Sequence, residues 1–414
     1  MTTIPVAVLP PGAGAGRPWA PVPGVGARAR VYVRRRMGYV SRPDAFARAD
    51  LLAPRLTTIS RPSGEIGAPA VRPLLERLEA ARLSRTVRLA CAFVHRSPCG
   101  CPNPLREGNR LVIVVAGEAL IDLVPQGAGA LAPLKPALGG GPYNTAVALG
   151  RLGSPTAFCS RTSYDAFGEA LLNGLREAGV DVSAVQRGTE PTTLALATLD
   201  QNGSAAYSFY VDGTADRLFT APARLPDRTR AVSFGTCSLV LEPGASAYEE
   251  LMRGAAEQGV FTALDPNIRA RLIADPDAYR ARFKSWLPSV SLLKLSAEDA
   301  EWLGGTPRAW LEYGPAAVVV THGGDGLTVF TRDGAEHSVP GVRVDVVDTI
   351  GAGDTVNAAL LHGLDARGAL SPAALAGLDT AGWTDLLRFA AHAAAITCSR
   401  AGAEPPYAAE LTFP

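Results

Sequence analysis

The chain has 414 residues, 40 of them basic and 39 acidic, and its net charge of +1 carries no chain-wide signature of a nucleic-acid binder. Hydrophobic residues make up 47 % of it, enough at this length for a large core and two folded units, and no run of eighteen uncharged apolar residues predicts a membrane span. The balance conceals a split: residues 1–110 hold 18 Arg, no Lys and 6 acidic residues, leaving 22 basic and 33 acidic residues for the remainder.

Residues 1–110 are rich in Pro, Gly and Ala and show little periodicity, so they are expected to be a disordered leader. Their basic cluster Arg34-Arg35-Arg36 reads as solvated, with a nucleic-acid or membrane patch as the alternative. A helix is predicted over Val71–Leu89 from the spacing of Leu74, Leu75, Leu78 and Leu83. The segment reads as translated GC-rich sequence ahead of a start near Leu111; a transit peptide is the rival, weakened by scarce Ser. Cys91, His95, Cys99 and Cys101 lie close enough for a zinc site but lack a second ligand pair to complete it. Cys159, Cys237 and Cys398 stand apart in apolar surroundings and read as buried free thiols, which places the chain in a reducing, cytoplasmic compartment.

From Leu111 the pattern is regular. Strands are predicted at Leu111–Ala116, Ala231–Gly235, Val260–Leu264, Ser291–Leu295 and Ala316–Thr321. Helices are predicted at Asn144–Leu152, Asp165–Ala178 and Trp383–Thr397. Buried strands alternating with helices imply a doubly wound, mostly parallel α/β sheet covered on both faces. Thr193–Leu199 and Ala205–Val211 break that rhythm. They flank Asp200-Gln201-Asn202-Gly203 as a hairpin, a candidate lid.

The most informative stretch is 347–361. A polar, alternating segment (342–347) runs into Asp348-Thr349-Ile350-Gly351-Ala352-Gly353-Asp354, and an apolar helix begins there. Glycines at a helix start let backbone amides converge on an anion. A carboxylate beside a phosphate repels it, so Asp354 makes sense as the group that takes a proton from an attacking hydroxyl. The alternative is a Gly-rich turn with Asp354 as N-cap.

Four other segments are ambiguous alone. Gly139-Gly140-Gly141-Pro142-Tyr143-Asn144 suits close ligand approach or a turn capped by Asn144. Asp122, beyond the first strand, can hold two hydroxyls or be a solvated acid. Thr321-His322-Gly323-Gly324-Asp325-Gly326 suits a nucleotide or a tight turn, and His322 reads as a turn residue. Asp265-Pro266-Asn267-Ile268-Arg269 offers Arg269 to an anion or to a surface ion pair. No GxxxxGK[ST], GxSxG, HExxH or EF-hand loop is present, and five His in all disfavour His-based chemistry.

In this order the segments resemble the ribokinase-like (PfkB) sugar kinase family over roughly Leu111 to Pro406, with Gly-Glu-Ala-Leu-Ile-Asp-Leu-Val-Pro and Asp-Pro-Asn-Ile-Arg similar to bacterial fructokinases. The resemblance implies a ribokinase-like fold with lid strands near 120–138 and 190–215, and an ATP- and magnesium-dependent kinase of a monosaccharide, fructose first. A 2-keto-3-deoxygluconate or ribose kinase is the neighbouring alternative, and a non-catalytic sugar-binding regulator the distant one. By the resemblance Asp354 would be the base and Gly351, Ala352 and Gly353 the anion hole. Asp122, Gly140, Gly141, Asn144 and Arg269 would meet the sugar. Ser296, Thr321, Gly323, Gly326, Gly353 and His392 would line the ATP site. Asp348, with backbone near Ile350 and Gly402, would hold a monovalent cation such as K+. Ser296 and Asp299 stand where the family has Asn-x-x-Glu, and Asp299 would reach magnesium through water. Tyr164 is unusual beside Asp165. No nucleic-acid or membrane partner is expected; a homodimer through the lid edge is.

Overall fold

The computed structural model describes residues 58–60, 92–94, 111–199 except 128 and 130, and 205–411. The chain divides into two compact units, Met1–Gly108 and Asn109–Pro414. In the first, Thr58–Ser60 (β1) pairs antiparallel with Ala92–Val94 (β2). The helix expected over Val71–Leu89, the Arg34–Arg36 cluster and the Cys91/His95/Cys99/Cys101 group lie outside the described residues.

In the second unit, short apolar runs bounded by glycine and proline become the strands. Val112–Ala116 (β3), Thr156–Ser163 (β6), Val185–Gly188 (β7), Thr229–Gly235 (β10), Phe261–Asp265 (β11), Leu292–Ser296 (β12) and Ala317–Thr321 (β13) are parallel. Leu327–Thr331 (β14) and Glu336–Val339 (β15) extend that sheet antiparallel, giving the order β15-β14-β13-β12-β11-β10-β3-β6-β7. Strand order reverses beside β3: the chain first builds outward through β6 and β7, then returns to β10 and builds the other way. Such a reversal opens a crevice at the strands' carboxyl ends.

The strands are buried on both faces, as parallel strands crossed by helices must be. On β3, Ile113 and Val115 pack with Gly141–Arg151 (α1), Ala352–Ala366 (α7) and Thr380–Cys398 (α9). Val114 and Ala116 face the other way, toward Gly244–Glu257 (α3) and Pro276–Trp286 (α4). The remaining helices, Ala166–Glu177 (α2), Ala297–Leu303 (α5), Pro307–Leu311 (α6) and Pro372–Ala376 (α8), complete the two layers. No helix among the described residues is long and apolar enough to cross a membrane.

A separate four-stranded sheet has the order β5-β4-β8-β9, from Leu120–Pro125 (β4), Leu134–Gly139 (β5), Leu194–Leu199 (β8) and Ala205–Tyr210 (β9). This is the small sheet expected near 120–138 and 190–215. The alternating segment 342–347 runs as irregular chain between the end of β15 at Val339 and α7, with Val346 and Val347 exposed. One local expectation differs. The first helix starts at Gly141 rather than Asn144, because Pro142 is accommodated in the first turn, where its missing N–H leaves no bond unmade.

Candidate active site

Two helix starts meet at the crevice. Helix α7 is opened by Gly351 in the left-handed region (φ 77°), and helix α1 by Gly140 (φ 108°). Neither Asp354 nor Asn144 is therefore the N-cap that the alternative readings required. Both sit within the first turn, where their side chains turn to each other: Asn144 Nδ2 donates to Asp354 Oδ2 at 2.9 Å. Thr145 Oγ1 donates to the Asp354 carbonyl at 3.4 Å. Asp354 is 7 % exposed. Burial pushes its carboxyl up to about 7; the Asn144 bond opposes this, nearby Asp265 adds to it, and Lys294 and Arg269 oppose it.

Gly141 makes the close approach possible. A Cβ there would lie 2.5 Å from Thr236 Oγ1, 3.3 Å from Asp354 Oδ1 and 3.4 Å from Asn267 Nδ2. Thr236 (φ 61°) and Asn267 (φ 39°) each hold left-handed backbone just past β10 and β11, a strain that the surrounding structure must sustain. Asp122 reaches the same region from β4. Burial lifts its carboxyl to about 6, with Arg269 opposing. Gly139, paired across from Leu120, leaves room for it: a Cβ there would fall 2.0 Å from Asp122 Oδ2. Arg269 is held by Asn267, its Nη1 donating to Asn267 Oδ1 at 2.7 Å.

The other expected residues fall into three groups. Thr321 ends β13, and the loop after it carries Gly323 (φ 56°), beside which there is open space. Gly326 (φ 115°) has a structural duty of its own, since a Cβ would meet the Val339 carbonyl at 2.0 Å. His322 Nε2 lies 3.2 Å from Thr328 Oγ1 within this turn. His392 is exposed on α9, the helix packed against β14 and β15.

Ser296 and Asp299 cap α5 reciprocally: Ser296 Oγ accepts from the Asp299 amide at 3.0 Å, and Asp299 Oδ2 from the Ser296 amide at 3.2 Å. Asp299 Oδ1 accepts from the Ile268 amide at 2.9 Å, which ties α5 to the loop that carries Arg269. Asp348 knots two loops together, Oδ1 accepting from the Ile350 amide (3.0 Å) and Oδ2 from the Gly402 amide (2.9 Å). Among the described residues no three His, Cys, Asp or Glu side chains gather to hold a metal, so a cation at Asp348 would need backbone oxygens as well.

Sequence reasoning gave no role of their own to four residues here: Thr236 and Lys294, and Asp265 and Asn267 within the segment that offered Arg269. Lys294 left a signal. It interrupts the apolar run Leu292-Leu293-Lys294-Leu295, and a lysine inside a buried strand needs a partner. The partner is Asp265, whose Oδ2 accepts from Nζ at 2.7 Å with both side chains nearly fully buried. Thr236 left none, since left-handed backbone at a threonine is not legible from composition.

An open, mostly parallel sheet with a crevice at its switch point, an amide-lined helix start and a buried carboxylate beside it defines a group-transfer site on a doubly wound α/β scaffold. The pfkB family carbohydrate kinase profile matches residues 111–409, and the chain belongs to that family. It is 40 % identical to a fructokinase from Rhizobium leguminosarum bv. trifolii over 281 residues, covering 65 % of this chain and 84 % of that one. It is 36 % identical to fructokinase-2 of Zea mays over 266 residues, covering 60 % of this chain and 79 % of that one. A fructokinase from Xylella fastidiosa solved with bound ATP superposes with a TM-score of 0.65 at 30 % identity, covering 70 % of this chain and 93 % of that one.

Proposed function

We propose that this protein is an ATP-dependent fructokinase. The observation that carries the reading is the buried Asp354 carboxylate, set in the first turn of α7 beside the Gly351–Gly353 amides and held by Asn144 from a second helix start. Asp122, Gly140, Gly141, Asn144 and Arg269 line the sugar side. Asp354 takes the proton from the attacking hydroxyl as that oxygen bonds to the γ-phosphorus and the bond to ADP breaks. The amides of Gly351, Ala352 and Gly353 face the charge that spreads over the transferred group. Thr321, Gly323, Gly326, Ser296 and His392 serve the nucleotide.

Magnesium supplies charge neutralisation on the phosphates when bound. Asp299 would reach it only through water, by the lone pairs left on two oxygens that each accept one backbone N–H. Asp348 suits a monovalent cation such as K+ together with carbonyls near Ile350 and Gly402. The small sheet closes over the sugar and keeps water from the phosphoryl group. Among the described residues its outer strands β5 and β9 have no further strand beside them, and these edges are suited to pairing in a homodimer. The free thiols of Cys159 and Cys237 are buried and that of Cys398, expected to be buried too, is only partly so; free thiols suit the reducing cytoplasm.

A coupled ADP-release assay across fructose, ribose and 2-keto-3-deoxygluconate tests the substrate, with fructose expected to give the highest kcat/KM. Asp354→Ala is expected to lower kcat by about 10³-fold or more while fructose still binds by calorimetry. Full turnover in that variant would remove Asp354 from the mechanism.

A further inference from the structure

Lys294 points its charge at the same place as the α7 amides. It lies on β12 with the alternation of Leu292, whose side chain joins the core under α7, while Leu293 and Leu295 join the opposite layer. A Cβ added to Gly353 would stand 3.0 Å from Lys294 Nζ and meet no other atom within 4 Å. The ammonium is thus in contact range of the last residue of the glycine loop. It is 4 % exposed, and its one bonded partner among the described residues is Asp265 Oδ2 at 2.7 Å. An ammonium has three donors, so two remain for groups entering at that point.

Asp265 Oδ1 is itself buried without a partner, so this is not a closed, fully satisfied ion pair. The neighbouring polar residues are less available. Asp299 and Ser296 cap each other, and the second Asp299 oxygen is bonded to Ile268. The side chains standing at the positions of the Asn-x-x-Glu pattern are therefore turned to structural work, and Lys294 brings a cation within 3.0 Å of where a Gly353 Cβ would stand.

We propose that Lys294 is a catalytic residue of this kinase, an ammonium that contacts the phosphoryl group in transfer beside the Gly351–Gly353 amides, with Asp265 as the positioning residue that aims it. The assignment rests on the kinase reading. Buried in low dielectric, a fixed cation at the site of developing charge acts more strongly than one in water. Asp265 keeps the ammonium from being a lone buried charge before ATP arrives. The carboxylate's second oxygen remains free to take a donor when the ammonium shifts toward phosphate.

Three variants separate this from a structural pair. Lys294→Met strands Asp265 and is expected to lower the Tm; Lys294→Met with Asp265→Asn removes both charges and is expected to restore it. In that folded double variant kcat should remain down by about 10²–10³-fold. Affinity for ATP should fall more than that for ADP, both measured by calorimetry with magnesium present. Recovery of kcat to the wild-type level, or an equal fall for ATP and ADP, would overturn the proposal. Asp265→Asn alone keeps the shape and frees the ammonium, so its ATP-to-ADP affinity ratio should rise several-fold; an unchanged or lowered ratio counts against the proposal. The nucleotide readout does not depend on the sugar. Failure of wild-type fructose turnover would therefore refute the fructokinase reading and leave the Lys294 result standing.

Discussion

At the residue scale the site is governed by how strongly burial acts on Asp354. In the proposed role of base Asp354 must be ionised to accept a proton, and burial pushes its carboxyl up to about 7. We therefore expect kcat/KM to climb about tenfold per pH unit below 7 and to level above it. Asn144→Ala removes a bond that favours the ionised form, so it should move that rise to higher pH. The same shift acts on stability. In the unfolded chain the carboxyl ionises near 3.8, so the folded state holds the proton more tightly. Stability from this group is complete below that value, falls as pH rises, and is lost once pH passes about 7. Thermal melts of Asp354→Asn against wild type should show a gain in Tm that grows from pH 5 to 7 and then flattens, worth on the order of a few kcal/mol. Asp354 itself stood out in the sequence, because a carboxylate after Gly-Ala-Gly at a helix start has few uses. The size of its shift did not, since it comes first from burial where two helices close together that the chain separates by 210 residues, with Asp265 adding to it and Lys294 opposing it.

At the element scale, most of the sheet could be read from apolar runs. Ala231–Gly235, Val260–Leu264, Ser291–Leu295 and Ala316–Thr321 each lie within two residues of the strand formed. The antiparallel edge β14–β15 was not read, because β15 is four residues long and largely exposed and carries no hydrophobic alternation. The root of the lid was not read either, since it depends on contacts across the fold. Asp165 caps α2 through the Gly168 amide at 2.8 Å and also accepts from Thr192 Oγ1 (2.7 Å) and the Thr192 amide (2.9 Å), two residues before β8. Its bonds to these donors hold its carboxyl below the ordinary range against a desolvation that pulls the other way. Asp216, deeply buried, anchors the other side by accepting from Thr193 Oγ1 (2.5 Å) and Thr214 Oγ1 (2.9 Å). Asp165→Ala should cost about 1 kcal/mol of stability as a lost cap. Because it loosens the lid rather than the base, steady-state kinetics should show KM for the sugar rising several-fold with a smaller change in kcat.

At the scale of the whole molecule, the family match at 111–409 falls entirely within the unit Asn109–Pro414. The change in charge and periodicity near Leu111 marked that boundary in the sequence. A chain beginning at Asn109 is expected to melt and turn over as the full-length protein does; a lower Tm or kcat in the shortened chain would give residues 1–108 a part in folding or activity. The small sheet also lies close along the chain to Asn144, the residue that holds Asp354. Strand β5 ends at Gly139, α1 begins at Gly141, and Asn144 lies on that helix's first turn. Gly140 is the whole joint between them. A rotation of the small sheet about that single residue is a pull on the amide that grips Asp354. A sugar that moved the sheet on binding would therefore shift the proton affinity of Asp354 through the Asn144 bond, by a lever five residues long from Gly140 to Asn144.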